Sequence, residues 1–128
     1  MGGVLETATR QLFEALDRKD AGAVKRTAAK DIQGVDEISR RWNRGIEAYD
    51  SYFQEALRML DDIQSTIRDV HETTLGDAGL VTCWLEQDYT LEGKRTHVSA
   101  PTSVVFRRER DGWKVILIHT VPMPPAET

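Results

Sequence analysis

The chain has a single cysteine, Cys83, so no internal disulfide is possible. It stands in an apolar run, where a buried thiol is expected rather than a reactive one. No apolar run approaches the length of a membrane span. The opening Met1-Gly2-Gly3-Val4-Leu5-Glu6 lacks the basic start and apolar core of a secretion signal. Glu6 also stands where myristoylation wants Ser or Thr. A reducing, cytoplasmic setting without a membrane partner is the expectation. Positive charge is not in excess either. The net charge is -4 and the pI about 5.4, which argues against a nucleic-acid partner. Arg40, Arg41 and Arg44 form a small basic cluster, but Asp36, Glu37 and Glu47 flank it, so it reads as a solvated face. There are three histidines, far apart, and no His-Glu-x-x-His, so no metal site is expected. No glycine loop cradles phosphate and no Gly-x-Ser-x-Gly elbow is present, so no cofactor is expected either.

What is present fits one domain over residues 1–128. Such a chain buries about two thirds of the surface it exposes unfolded. Leu5, Leu12, Phe13 and Leu16 share one helical face and predict a helix over 4–18. Asp20 is placed to cap a second helix over 21–29. The segment 31–44 reads as a short strand or a loop. Ile46, Tyr49, Phe53, Ala56, Leu57 and Leu60 form the stripe of a third helix over 46–60. After Asp61 the period becomes that of strands. Ile63, Ile67 and His71 fall on one side of an extended run and Val70 on the other. The run from Leu80 puts Leu80, Thr82, Trp84 and Glu86 on one face and Val81, Cys83, Leu85 and Tyr89 on the other. Pro101 in the following run implies an edge, a bulge or a bend. After the turn Arg110-Asp111-Gly112 comes Trp113 to His119, whose alternation aligns Trp113, Val115, Leu117 and His119. Pro122 to Thr128 is expected to be a frayed, flexible tail. Helices followed by an antiparallel meander make the α+β class. The last strands are apolar on both faces, and a second copy of the chain, in a homodimer, is the expected cover for the outer one.

This ordered set of features resembles the SnoaL-like branch of the nuclear-transport-factor-2-like superfamily. The resemblance is carried by Lys30-Asp31-Ile32, by Arg44-Gly45-Ile46-Glu47-Ala48 leading to Tyr52-Phe53, by Leu75-Gly76-Asp77-Ala78, and by Val104 to Arg108 with Asp111-Gly112-Trp113-Lys114-Val115 and His119. It implies a cystatin-like roll, in which a cone-shaped curved antiparallel sheet wraps three N-terminal helices around a pocket. The family contains isomerases, dehydratases, cyclases and epoxide hydrolases. It also contains non-catalytic modules such as the association domain of calcium/calmodulin-dependent kinase II. The Asp-Arg-Asp set of the epoxide hydrolases and the Tyr and Asp positions of the ketosteroid isomerases find no match here.

Within that frame the resemblance turns His119 toward the pocket, as a candidate acid or base. The competing reading is a strand histidine bonded to a neighbour. Asp31 is its candidate catalytic partner, or else a cap or loop residue. His97 is expected to be exposed and His71 structural. Trp42, Phe53, Trp84 and Tyr49 are candidate ligand-binding walls. Tyr49 and Phe53 equally suit plain core, and Trp113 is expected to pack under the hairpin. The expected partner is a small, largely apolar organic ligand. The two functional expectations are proton transfer of the isomerase, dehydratase or cyclase kind, and a non-catalytic binding or dimerisation module.

Overall fold

A computed structural model describes residues 2–124. The part of the expected tail at 125–128 lies outside the described residues. The elements run α1 (Val4–Asp17), α2 (Ala21–Thr27), β1 (Ala28–Asp36), β2 (Asn43–Arg44), α3 (Ile46–Met59), β3 (Leu60–Leu75), β4 (Ala78–Leu91), β5 (Lys94–Glu109) and β6 (Gly112–Thr120). The three helices lie within a residue or two of the expected spans.

Helix α1 buries Leu5, Thr9, Leu12, Phe13 and Leu16, one continuous stripe. Its free N-terminal amides meet a carboxylate, because Glu6 N donates to Glu72 Oε1 at 2.7 Å. It ends in a Schellman arrangement. Lys19 takes a left-handed φ of 59°, Lys19 N donates to Leu16 O, and Asp20 N to Ala15 O. Asp20 then caps α2 through Ala23 N at 3.0 Å, as its position implies.

The strands form one six-stranded sheet in the order β2-β1-β6-β5-β4-β3. The meander β3 to β6 is antiparallel throughout. The segment left open between strand and loop is β1, and it joins β6 in parallel, the one departure from an all-antiparallel sheet. Its place beside the last strand shows only once the sheet is assembled. The helices cover one face with a core that includes Ile32, Tyr49, Val81, Val104, Phe106 and Val115. Pro101 sits where β5 loses a neighbour, since the β6 ladder stops at Thr102 opposite Thr120. This is the edge that the proline required.

Three bulges in the meander decide which of its side chains face the helices. Two lie on β3, where Asp62 and Asp69 adopt φ of 50° and 53° and the β4 register slips. The third inserts Ile116 into β6, since Val105 pairs with Leu117 but Phe106 pairs with Val115. Each extra residue bends its strand and reverses the alternation beyond it. Two expectations are corrected as a result. Ile63 and Ile67 are buried as expected, but beyond Asp69 it is Val70 that packs against the core, while His71 lies outside. On β6, Val115 is in the core, but beyond Ile116 the inward residues are Ile118 and Thr120, not Leu117 and His119.

Candidate functional site

Between the helices and the sheet lies a cavity of about 60 Å³. It admits several water-sized groups. Its floor and walls are apolar, with Phe13 and Leu16 from α1, Phe53 and Leu57 from α3, and Leu85, Val98 and Ile118 from the sheet. Its polar groups come from the turn Asp36-Glu37-Ile38-Ser39, from Asn43, Tyr49 and Tyr52, and from Gln87 and Thr120.

The turn after β1 builds the mouth. Asp36 Oδ1 accepts from Ile38 N at 3.0 Å and Ser39 N at 2.8 Å. Ser39 Oγ in return accepts from Asp36 N at 3.1 Å, the reciprocal logic of a capping box. Tyr52 Oη donates to the same Asp36 oxygen at 2.7 Å, which ties the turn to α3. Burial, then the charge of Asp36, pushes the Tyr52 phenol well above its ordinary range, so it stays a proton donor. Glu37 lines the cavity beside this anchor. Burial raises its pKa above the ordinary glutamate value; the Tyr89 hydroxyl opposes the shift and the Asp36 charge adds to it. Tyr89 is itself pushed up to about 12, by burial and then by the Glu37 charge. The contact reaches from the β1 turn across to β4.

Asn43 is buried on β2 opposite Gly34, and Tyr49 is buried on α3. Neither side chain has a hydrogen-bond partner among the described residues. No described side-chain nitrogen or oxygen is both sealed and unpartnered. Both residues line the cavity. Burial, with the Asp36 charge second, holds the Tyr49 phenol protonated.

Of the six residues singled out from the sequence, Tyr49 and Phe53 line this cavity, their rings edge to face at 4.8 Å. The other four do not. His119 lies on the opposite face, in a shallow depression with His71, Thr82, Trp84, Pro101 and Ser103. The Ile116 bulge put it there. Trp84 is outward because the buried face of β4 is the Val81, Cys83, Leu85 face. Trp42 is exposed, 6.3 Å from the His119 ring and under the Arg44 guanidinium. Asp31 is held bidentately by Arg107, at 3.0 and 2.8 Å, and that pairing lowers its pKa. Its partner is thus Arg107, not His119. His97 is exposed as expected, clamped on the outer face between Asp88 at 2.9 Å and Glu86 at 3.3 Å, and Asp88 first of these raises its pKa. Trp113 is half-buried against the core, with Arg108 over its ring at 4.7 Å.

Sequence reasoning missed Asp36, Glu37, Asn43, Tyr52 and Gln87. A signal existed for the first of these. Asp36-x-x-Ser39 is a turn-capping spacing, and Tyr49, Tyr52 and Phe53 share a helical face. No described group of histidine, cysteine, aspartate and glutamate is arranged to hold a metal ion. No described helix is long and apolar enough to cross a membrane.

A curved, open sheet folded over three helices, with an apolar cavity between them, defines a nuclear-transport-factor-2-like cone. The family model for the SnoaL-like domain matches residues 5–124, and the chain belongs to that family. No curated protein matches it. Among solved structures, it is similar to a provisionally named dehydratase of the NTF2-like family from Streptomyces avermitilis, with TM-score 0.86, 21% identity, and 94% of this chain and 95% of that one covered. It is similar to a ketosteroid isomerase-like protein from Erwinia carotovora atroseptica, with TM-score 0.81, 21% identity and 95% of each chain covered. It is also similar to a provisionally named calcium/calmodulin-dependent protein kinase II association domain from Xanthomonas campestris, with TM-score 0.83, 21% identity, and 98% and 91% covered. At such identity the likeness shows the fold, and one fold carries many functions.

Proposed function

We propose that the protein binds a small, flat, largely apolar carbonyl compound in the cavity and moves a proton on the carbon beside the carbonyl. The observation that carries this reading is the grouping of Glu37, Asn43 and Tyr49 around one apolar slot. Two neutral donors, the Tyr49 hydroxyl and the Asn43 amide, receive the carbonyl oxygen and stabilise it as it gains charge. Glu37, with its raised pKa, takes the proton from the α-carbon in its ionised form and returns one to the resulting enolate. An apolar wall keeps the rest of the molecule dry. This step is common to isomerisation and to dehydration of carbonyl compounds, and such names occur among the similar structures.

The test uses acetophenone in deuterated water. The protein is expected to accelerate replacement of the methyl protons by deuterium, followed by proton NMR, and to show shifts of Tyr49, Phe53 and Ile118 resonances on titration. Binding without exchange supports a non-catalytic pocket. Absence of both sinks the reading.

A second observation favours assembly. The outer face carries Leu80, Trp84, Pro101, Val105 and Leu117, of which Leu80 is exposed and the others half-buried. Arg68, Glu86, Asp88 and His97 rim this strip. We propose that a second copy covers it, forming an isologous dimer. Light scattering at micromolar concentration should give about twice the 14.5 kDa chain mass. Trp84→Asp should shift the protein toward that single mass. A wild-type monomer over a wide concentration range rules the dimer out.

A further inference from the structure

The cavity has a second polar wall at the opposite edge of the sheet. Asn43 belongs to the β2 edge; Gln87 lies on β4 next to the β3 edge, and it lines the same cavity. Its Nε2 donates to Ser65 Oγ at 2.9 Å. Ser65 Oγ in turn donates to Asp17 Oδ1 at 2.6 Å, and Ser65 N donates to Asp17 Oδ2 at 3.0 Å. Helix α1, β3 and β4 each supply one member of the chain.

The direction of this chain is set from its far end. An ionised carboxylate only accepts, so the Ser65 proton points to Asp17. That leaves Ser65 Oγ a lone pair, and only an N–H of Gln87 can meet it. The Gln87 amide is therefore held with its nitrogen toward Ser65. Its carbonyl oxygen, which has no partner among the described residues, is left as an acceptor for whatever occupies the cavity. A chain of this kind strengthens each of its bonds and resists an amide flip.

We infer that Gln87 sets the specificity for the far end of the ligand, and that the ligand class is a compact apolar body with a carbonyl at the Asn43–Tyr49 wall and a hydroxyl at Gln87. This rests on the carbonyl reading of the Asn43–Tyr49 wall. Ser65 and Asp17 act through Gln87 as positioning residues. A site built to accept from a hydroxyl rejects an analogue that lacks the proton more strongly than it would reject a change in apolar size.

The experiment compares 4′-hydroxyacetophenone, acetophenone and 4′-methoxyacetophenone by NMR titration at pH 6, where the phenol keeps its proton. The hydroxy compound should bind about tenfold more tightly than the methoxy compound. Gln87→Leu and Ser65→Ala should bring that ratio close to one. Circular dichroism checks that each variant is folded. A wild-type ratio near one with acetophenone bound overturns the role of Gln87 and leaves the carbonyl reading standing. An undiminished ratio in Gln87→Leu does the same. Failure of all three ketones to bind overturns both.

Discussion

Glu37→Gln is expected to lower the rate of α-proton exchange in acetophenone by a factor of about 10²–10⁴, the usual contribution of a positioned base. The affinity for acetophenone should change little, so the loss falls on turnover. In the wild type, exchange should rise with pH through the titration of Glu37. Burial places that midpoint above the ordinary glutamate value of 4.5. Stability should move the other way. Because the folded-state pKa is raised, the native protein holds this proton more tightly than the unfolded chain does. The Glu37 contribution to stability therefore falls as pH rises from 4.5 through the folded value. Glu37→Gln removes that cost, so the variant should melt at a higher temperature than wild type near neutrality. A variant that exchanges protons as fast as wild type removes Glu37 from the chemistry.

The second large effect is expected at Gly34. A Cβ there would stand 3.0 Å from Tyr49 Cε1 and 3.2 Å from Ile118 Cγ2, both in the buried core. Neither neighbour is the free end of a flexible chain. Gly34→Val should cost about 1–3 kcal/mol through overpacking. That corresponds to a melting midpoint lower by about 5–15 °C. The displaced Tyr49 ring would enter the slot and abolish acetophenone binding. Gly22→Ala is the control, since there the new Cβ meets the flexible Arg26 guanidinium end at 3.3 Å and Asp20 Oδ1 at an ordinary 3.5 Å. Acetophenone binding to Gly34→Val with wild-type affinity would show that the cavity is not the binding site.

The helices and the meander were legible because amphipathic spacing and turn residues are local signals. Leu5 to Leu16, and the Asp111-Gly112 turn, carry their meaning within a dozen positions. The site was less legible, and for a specific reason. Alternation tells which residues share a face only while the strand is regular, and a bulge is nearly silent in sequence. Ile116 sits in an unbroken apolar run, so nothing marked the point at which His119 and Ile118 exchange faces. Asp69 did the same to His71. The polar residues Asp36, Glu37, Asn43, Tyr49 and Tyr52 come from a turn, a two-residue strand and a helix, and their convergence depends on β1 lying beside β6. No spacing in the chain encodes that neighbour. Asp31 illustrates the converse: its guanidinium partner, Arg107, is on β5.

The parallel pairing of β1 with β6 also constrains how the molecule is made. Ala28 pairs with Val115 and Val35 with His119, so the third element of the chain docks against the last. As the polypeptide emerges during synthesis, α1, α2 and β1 have no finished sheet to rest on. Loops spanning most of the chain must close before that seam forms, and such non-local closure slows folding. Until then Ile32 and the β1 edge are open to other chains. A product cut short before Gly112 never acquires β6, so β1 and β2 are left without the strand that joins them to the meander. Split-protein or permuted versions should therefore keep β1 and β6 on the same fragment.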